Sequence, residues 1–506
     1  MDLIIIALLP EIFLSFCILI HLLFNIFLLQ NKRINFPLLN KEYLFQCFFI
    51  LICVIILILK NNFEGSTLMS LLIINKNISA LKLFIVLIAI LFLLPSWRHY
   101  IFEKLNFYEF FNLYLILILI FLLLISANDL IIIYILLEMQ SLIFYIFSNF
   151  KRSSAFSSEA GLKYFISGSV FSGIFLFGCF LLYSIFGSLN FTTLELLLSI
   201  PLNNVSIYSV TIIAVVLVSS TFMFKLTLVP FHFWSPDVYE GAPLSATLIL
   251  STIPKFVIFT LLMRWVSSIF YIFNEISYLF IIIGLFSIFI GIFFANRQKR
   301  IKRFIAYSSI SQLGYIIIFF NMITIDNYAG IYFFLIIYLI TSIIIWIFLV
   351  LFDIYQAKNN TFLNKERVSV FISTLSNMIV YNKGWSLILL IIFASLAGLP
   401  PLSGFLPKMF LFFSLTTSSN GLVNILLVIS TCLVIWYYIN IITLLFMEIQ
   451  TKVKKYFISS FTYIYCSLFC DYMDYLIVVT CSLLLLFIFF KPSFIYLICQ
   501  YFALFI

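Results

Sequence analysis

Lys225-Leu226-Thr227-Leu228-Val229-Pro230-Phe231-His232-Phe233-Trp234-Ser235-Pro236-Asp237-Val238-Tyr239-Glu240-Gly241-Ala242-Pro243 is the run that decides how this chain is read. A lysine stands in apolar sequence, five residues ahead of a proline. Pro230 has no N–H to donate and its ring collides with the preceding turn, so a helix arriving there must break or kink near Lys225. An ionisable side chain in membrane-length apolar sequence, beside a broken helix, points to a functional site.

The rest of the composition puts that run in a membrane. The 506 residues are 64% hydrophobic and 9% charged, with a mean hydropathy of +1.22. A soluble domain carries roughly a quarter charged residues, so the chain is a polytopic membrane protein. Its net charge of +9 reads as basic loops on one side of the bilayer, not as a nucleic-acid surface. The nine cysteines lie mostly in apolar runs. Cys466 and Cys470 are spaced as a pair, but no histidine or further cysteine nearby completes a metal site, and the thiols read as small hydrophobes. Met1–Leu29 is too long and too uniformly apolar for a cleaved signal and reads as a first spanning helix. The abundance of Phe, Ile, Leu, Tyr, Asn and Lys is that of an A+T-rich, organelle-type gene.

Apolar runs long enough to cross a hydrocarbon core fall near 3–29, 43–59, 78–95, 107–126, 129–149, 162–186, 206–230, 243–266, 276–295, 303–323, 328–352, 385–417, 421–447 and 474–503, about 14 spans. The run 385–417 is interrupted at Gly398-Leu399-Pro400-Pro401-Leu402-Ser403-Gly404. Lys and Arg cluster after odd-numbered spans: Lys32, Arg33 and Lys41; Arg98 and Lys104; Lys151 and Arg152; Arg297 to Arg303; Lys358 to Lys383; Lys452 to Lys455. The other side has little beyond Lys60, Lys76, Lys82 and Arg264. Odd-span loops therefore face the cytoplasm or matrix, and both termini face the opposite side. The seventh and twelfth spans are both broken by proline and both carry a lysine at the break, Lys225 and Lys408. They lie an odd number of spans apart, so one copy is inverted, the arrangement that marks a transport site.

Four of the ionisable residues inside these spans carry the functional reading: Glu138, Lys225, Lys255 and Lys408. Glu138 lies near the middle of its run, where a bare carboxylate costs about 2.5–3.5 kcal/mol and must be protonated, hydrated or paired. A structural ion pair that only fixes helix packing is its other reading. Lys225 and Lys255 flank the loop around Pro236, and Lys408 follows the second break. A lysine stripped of water can exchange its proton near neutral pH, and a neighbouring Glu138 would oppose release from Lys225. The alternative for each lysine is to snorkel to an interface. His232 is placed either to relay protons between the lysines or to hydrogen-bond a free carbonyl at the break. Asp129 and Glu11 read as helix N-terminal caps, and His99 as an exposed residue of a basic loop. No phosphate-binding loop, dinucleotide turn, cysteine quartet or haem-type histidine pair is present, so the energy must come from an ion gradient or a partner.

Several blocks resemble the subunit 2 family of antiporter-like membrane subunits of NADH:ubiquinone oxidoreductase, respiratory complex I. They are Leu9-Pro10-Glu11-Ile12, Ser126-Ala127-Asn128-Asp129-Leu130, Glu138-Met139-Gln140-Ser141-Leu142, the opening run, Pro254-Lys255, Arg303-Phe304-Ile305-Ala306-Tyr307-Ser308-Ser309-Ile310-Ser311-Gln312-Leu313-Gly314-Tyr315 and Leu396-Ala397-Gly398-Leu399-Pro400-Pro401-Leu402-Ser403-Gly404-Phe405. The resemblance covers all but about the last fifty residues. It implies an all-α fold of two inverted five-helix repeats: an N-terminal three-helix segment (1–106), a first repeat (107–266), a second (267–447, with a polar loop at 353–383) and a C-terminal helix segment (448–506). It maps the proton path onto Glu138, Lys225, Lys255 and Lys408, with no acid in the tenth span matching Glu138. It implies proton translocation across the mitochondrial inner membrane, driven by electron transfer from NADH to ubiquinone. FMN, iron–sulfur clusters and ubiquinone would belong to partner subunits, with no cofactor on this chain. The expected partners are other membrane-arm and antiporter-like subunits and lipids such as cardiolipin, with no nucleic acid. The competing readings are a subunit of a sodium/proton antiporter and a purely structural membrane-arm subunit.

Overall fold

The computed structural model describes residues 7–29, 40–61, 63–67, 70–103, 107–151, 154–200, 205–321, 324–359, 371–375, 383–417, 421–446 and 472–504. Nearly all of these are helical. Helices α1 (Leu9–Leu29), α2 (Asn40–Lys60) and α3 (Lys76–Glu103) come first, with a hairpin of β1 (Gly65–Thr67) and β2 (Leu72–Ile74) between α2 and α3. Next are α4 (Phe107–Ser126), α5 (Leu130–Ser148), α6 (Ala155–Phe186), the short α7 (Phe191–Leu198) and α8 (Val205–Lys225). Two short helices, α9 (Trp234–Gly241) and α10 (Leu244–Leu250), lead into α11 (Ile253–Ser268). The chain continues through α12 (Phe270–Arg297), α13 (Ile301–Ile318), α14 (Ile325–Asn359), α15 (Lys383–Ala397), α16 (Phe405–Thr417), α17 (Gly421–Phe446), α18 (Tyr472–Phe490) and α19 (Pro492–Ala503).

Both expected breaks are present, and their backbone groups are accounted for. Helix α8 ends at Lys225 because Thr227 adopts a left-handed φ of 61°, which lets Thr227 N–H reach Phe224 O and Leu228 N–H reach Met223 O, each at 3.0 Å. This is the paired-bond helix stop usually built on glycine, here carried by a β-branched residue. The Trp234 indole N–H donates to Phe224 O at 3.2 Å. The second break separates α15 from α16. Gly398 takes φ 82°, and the N–H groups of Gly398 and Leu399 both turn back to Ala394 O.

Among the described residues ten helices are long and apolar enough to cross a membrane, or eleven if the bent C-terminal pair counts as one. The expected count was about 14. The shortfall lies in segments of less than full span length, such as α15 and α16, which are 15 and 13 residues each side of a break. It also includes α13, whose first turn is basic. The last expected span, 474–503, is not straight: Leu476–Phe490 and Pro492–Ala503 meet at 94°. The eighth, 243–266, is interrupted at Ser251–Thr252, and Pro254 sits in the first turn of α11, where a missing N–H is not needed. Helix α3 runs through Pro95 to Glu103, so His99 is not in a loop; it is fully buried, and its Nε2 lies 3.7 Å from the Asp353 carboxylate on α14. Of the 353–383 loop only its edges and the turn Ile372–Leu375 are described, and Cys466, Cys470, Lys32, Arg33 and Lys452 to Lys455 lie outside the described residues.

Burial separates an inner from an outer set of helices. The window Leu244–Ser268 is 100% buried, whereas only 28% of Ala155–Phe186 and 33% of Gly421–Phe446 is, so α6 and α17 face outward and α10–α11 form the centre. Helix α13 is clamped to α12 by small residues. A Cβ on Gly291 would stand 2.8 Å from Ser311 N, and one on Gly314 would stand 2.2 Å from Ser287 Oγ. Such close backbone approach holds membrane helices together where no hydrophobic drive exists between them.

Candidate functional site

The expected site residues fall into two groups. Glu138 and Lys225 form the first. Both are half-buried. Ser141 Oγ donates to Glu138 Oε2 at 3.3 Å, and Lys225 interacts electrostatically with Glu138, although no N–O contact of 4.0 Å or less joins them. The outward neighbours of Glu138 on α5, Ile135, Met139 and Leu142, are all exposed, so this end of the site lies at the edge of the chain.

Lys255 and Lys408 form the second group, and both are enclosed, at 1% and 4% exposure, which removes the snorkelling alternative. Lys255 Nζ, in the first turn of α11, donates to Ser309 Oγ at 3.1 Å and Tyr338 OH at 2.9 Å. The rings of Tyr239 and Tyr338 lie 5.7 and 5.3 Å from it. Lys408 Nζ donates to Ala397 O at 2.8 Å and lies 5.2 Å from the Tyr315 ring. It thus sits on the free carbonyls at the end of α15, where the helix dipole favours a cation. Among the described residues neither ammonium touches a carboxylate: hydroxyls, carbonyls and aromatic faces do the work of solvent.

Helix α13 is common to both lysines. Ser309 serves Lys255, Tyr315 serves Lys408, and between them Gln312 Nε2 donates to Leu396 O at 3.1 Å. Two small cavities of about 20 and 10 Å³ flank Gln312. The first reaches Ser309 and Tyr239, the second Ser395 and Gly404, and Gln312, Tyr338 and Thr341 line both. That is room on the order of one water each. Ser309, Gln312 and Tyr315 recur three apart in sequence, a legible helical face; nothing in the sequence singles out Tyr338.

His232 is 5% exposed and lies directly beyond Pro230 at the break, its ring 4.5 Å from that of Phe233. Its Nδ1 has no hydrogen-bond partner among the described residues, and neither lysine is bonded to it. Asp129 is an N-cap as expected, accepting from Ile131 N at 2.8 Å. Glu11 is in the first turn of α1, but its carboxylate pairs with Lys82 at 2.5 Å, both side chains 5% exposed. Arg264, a marker of membrane side in the sequence reading, is buried; it donates to Ile125 O, Ala127 O and Asn128 Oδ1 and so ties α11 to the end of α4 and the connection into α5.

Residues 127–434 match the family described as NADH:quinone oxidoreductase/Mrp antiporter, TM. NADH-ubiquinone oxidoreductase chain 2 of Marchantia polymorpha is 30% identical over 449 residues, covering 87% of this chain and 88% of that one. NADH-quinone oxidoreductase subunit N of Pelagibacter ubique is 34% identical over 325 residues, 64% and 66% of the two chains. The fold is shared with a chain of respiratory complex I from Thermus thermophilus (TM-score 0.72, 22% identity, 96% of this chain and 98% of that one). It is also shared with a chain of the Mrp complex from Dietzia (0.77, 14% identity, 99% and 97%). Sequence, span organisation and fold agree: the chain belongs to the NADH:quinone oxidoreductase/Mrp antiporter membrane-subunit family, among the antiporter-like chain 2 and subunit N proteins of respiratory complex I.

Proposed function

We propose that this chain translocates protons within the NADH:ubiquinone oxidoreductase assembly of the mitochondrial inner membrane, through Glu138, Lys225, Lys255 and Lys408. One observation carries the reading: two enclosed lysines that have no carboxylate partner among the described residues, with Ser309, Gln312 and the carbonyls of Leu396 and Ala397 between them and two small cavities beside Gln312. A lysine held only to stabilise packing would be paired with an acid, as Lys82 is with Glu11. Lys255, bonded to neutral hydroxyls, can hold or give up its proton without breaking an ion pair, and Gln312 stands between it and Lys408. His232, with Nδ1 unbonded, is a further relay on the Lys225 side.

The supporting frame is that of two inverted repeats, 107–266 and 267–447, with the basic loops toward the matrix and both termini toward the intermembrane space. Redox cofactors belong to partner subunits in this reading, and the exposed apolar helices meet neighbouring membrane-arm subunits and lipids such as cardiolipin. The likeness to an Mrp chain keeps a sodium/proton antiporter subunit as the second reading. Vesicles containing the assembled complex separate the two. Proton uptake that requires NADH oxidation and is lost in Glu138→Gln or Lys225→Met supports the proposal. Sodium exchange by the assembly without NADH would overturn it. Full proton stoichiometry in both variants, with only assembly reduced, would make the chain structural.

A further inference from the structure

The acidic residues of the Pro236–Gly241 run were read only as part of a motif, and the basic residues after α12 only as a marker of membrane side. The structure joins them. Asp237 Oδ1 pairs with Arg303 at 2.9 Å, and Asp237 Oδ2 with Lys163 at 2.7 Å. Glu240 pairs with both Arg300 and Arg303, while Lys302 donates to Ala242 O at 3.1 Å. Lys163 also pairs with Glu159, one turn away on α6. The short helix α9 is thereby held between α6 and α13, and a Cβ on Gly241 would stand 2.4 Å from Phe156 O, so it lies hard against α6 as well.

What this clamp positions is the shell of Lys255. Tyr239, between the two acids on α9, is one of the two rings over Lys255 Nζ, and Ser309, six residues beyond Arg303 on α13, is one of its two hydroxyl partners. Six residues of α-helix span about 9 Å and move as a rod. Gln312 and Tyr315 ride on the same helix. The charges themselves are partly exposed (Lys163 45%, Arg303 38%, Asp237 32%), and such pairs add little to stability. Their geometry is specific all the same: two acids on one short helix engage cations from two different long ones.

We propose that Asp237 and Glu240, with Lys163, Arg300 and Arg303, are positioning residues that hold Tyr239 and Ser309 in register around Lys255 and so set the coupling of proton movement. This rests on the proton-path reading above. The test uses the assembled complex in vesicles, with protons moved per NADH oxidised and turnover both normalised to the amount of complex. Arg303→Gln should assemble and lose at least half of the coupled proton movement, Arg303→Lys should regain most of it, and raised ionic strength should weaken coupling in the parent more than in Arg303→Gln. Full coupling in assembled Arg303→Gln overturns the proposal. If that variant does not assemble, the more exposed Lys163→Gln decides, full coupling again overturning it. Lys255→Met is the reference. Its loss of pumping beside an intact Arg303→Gln sinks the clamp alone, while unaffected pumping in Lys255→Met sinks both the clamp and the path.

Discussion

Replacing Gly404 with alanine adds one methyl group at the point where the second broken helix restarts. That Cβ would stand 1.7 Å from Ser395 O, about half the distance at which such atoms ordinarily touch, and 2.7 Å from the Ser395 carbonyl carbon. The obstacle is backbone, so no side-chain rotation relieves it; α15 and α16 have to part by more than an ångström. Lys408 is on α16 and its acceptor, Ala397 O, closes α15, at 2.8 Å. Separation by that amount takes the contact beyond hydrogen-bonding range. Overpacking costs about 1–3 kcal/mol and a charge-assisted hydrogen bond is worth about 1.5–3 kcal/mol, so the local loss is roughly 3–6 kcal/mol. Gly173→Ala, on α6 with nothing within 4 Å of the added atom, is the matched control. Assembly would be followed on native gels and pumping by a pH-sensitive dye in vesicles driven by NADH. Gly404→Ala should lower both sharply, and Gly173→Ala neither. Gly404→Ala complex that assembles and pumps like the parent would show that the Lys408–Ala397 contact does not matter.

Three further outcomes follow from the same geometry. Glu11→Gln leaves the Lys82 charge buried and unpaired and should cost about 3–5 kcal/mol in the thermal stability of the complex, while the apolar pair Glu11→Leu with Lys82→Met should recover most of it. Arg264→Gln strands Ile125 O and Ala127 O and should cost on the order of 3 kcal/mol, seen as reduced assembly, not as a changed proton ratio in what assembles. Asp129→Ala removes the cap on the Glu138 helix and should cost about 1 kcal/mol, with Asp129→Asn close to neutral, both measurable by thermal shift.

The sequence exposed whatever proline and charge expose. Pro230 and the Pro400-Pro401 pair mark the two breaks because a missing N–H is a local fact, and Lys225, Lys255 and Lys408 stand out because an ion in apolar sequence needs a reason. The basic residues around His99 misled, because α3 continues through Pro95 to Glu103 and carries His99 into the interior. Pair identity was hidden for a different reason. Glu11 and Lys82 are 71 residues apart, Asp237 and Arg303 are 66 apart, and only packing brings them together. Tyr338 was invisible because one tyrosine in a long aromatic-rich helix has no signature until its hydroxyl is seen beside Lys255. The interruption at Ser251–Thr252 involves small polar residues that many helices tolerate.

The helix carrying Lys255 is enclosed on every side, and that has a consequence for how the chain is made. It must enter the membrane bearing both Lys255 and Arg264, each costing about 2.5–3.5 kcal/mol at the bilayer centre. The acceptors of Arg264, at Ile125, Ala127 and Asn128, precede it in the chain and are ready when it arrives. Those of Lys255, Ser309 and Tyr338, are 54 and 83 residues further on and have not yet been synthesised. Until α13 and α14 arrive, the lysine must be neutral, wet or chaperoned, so biogenesis passes through an intermediate in which the residue at the centre of the finished protein is its least settled part.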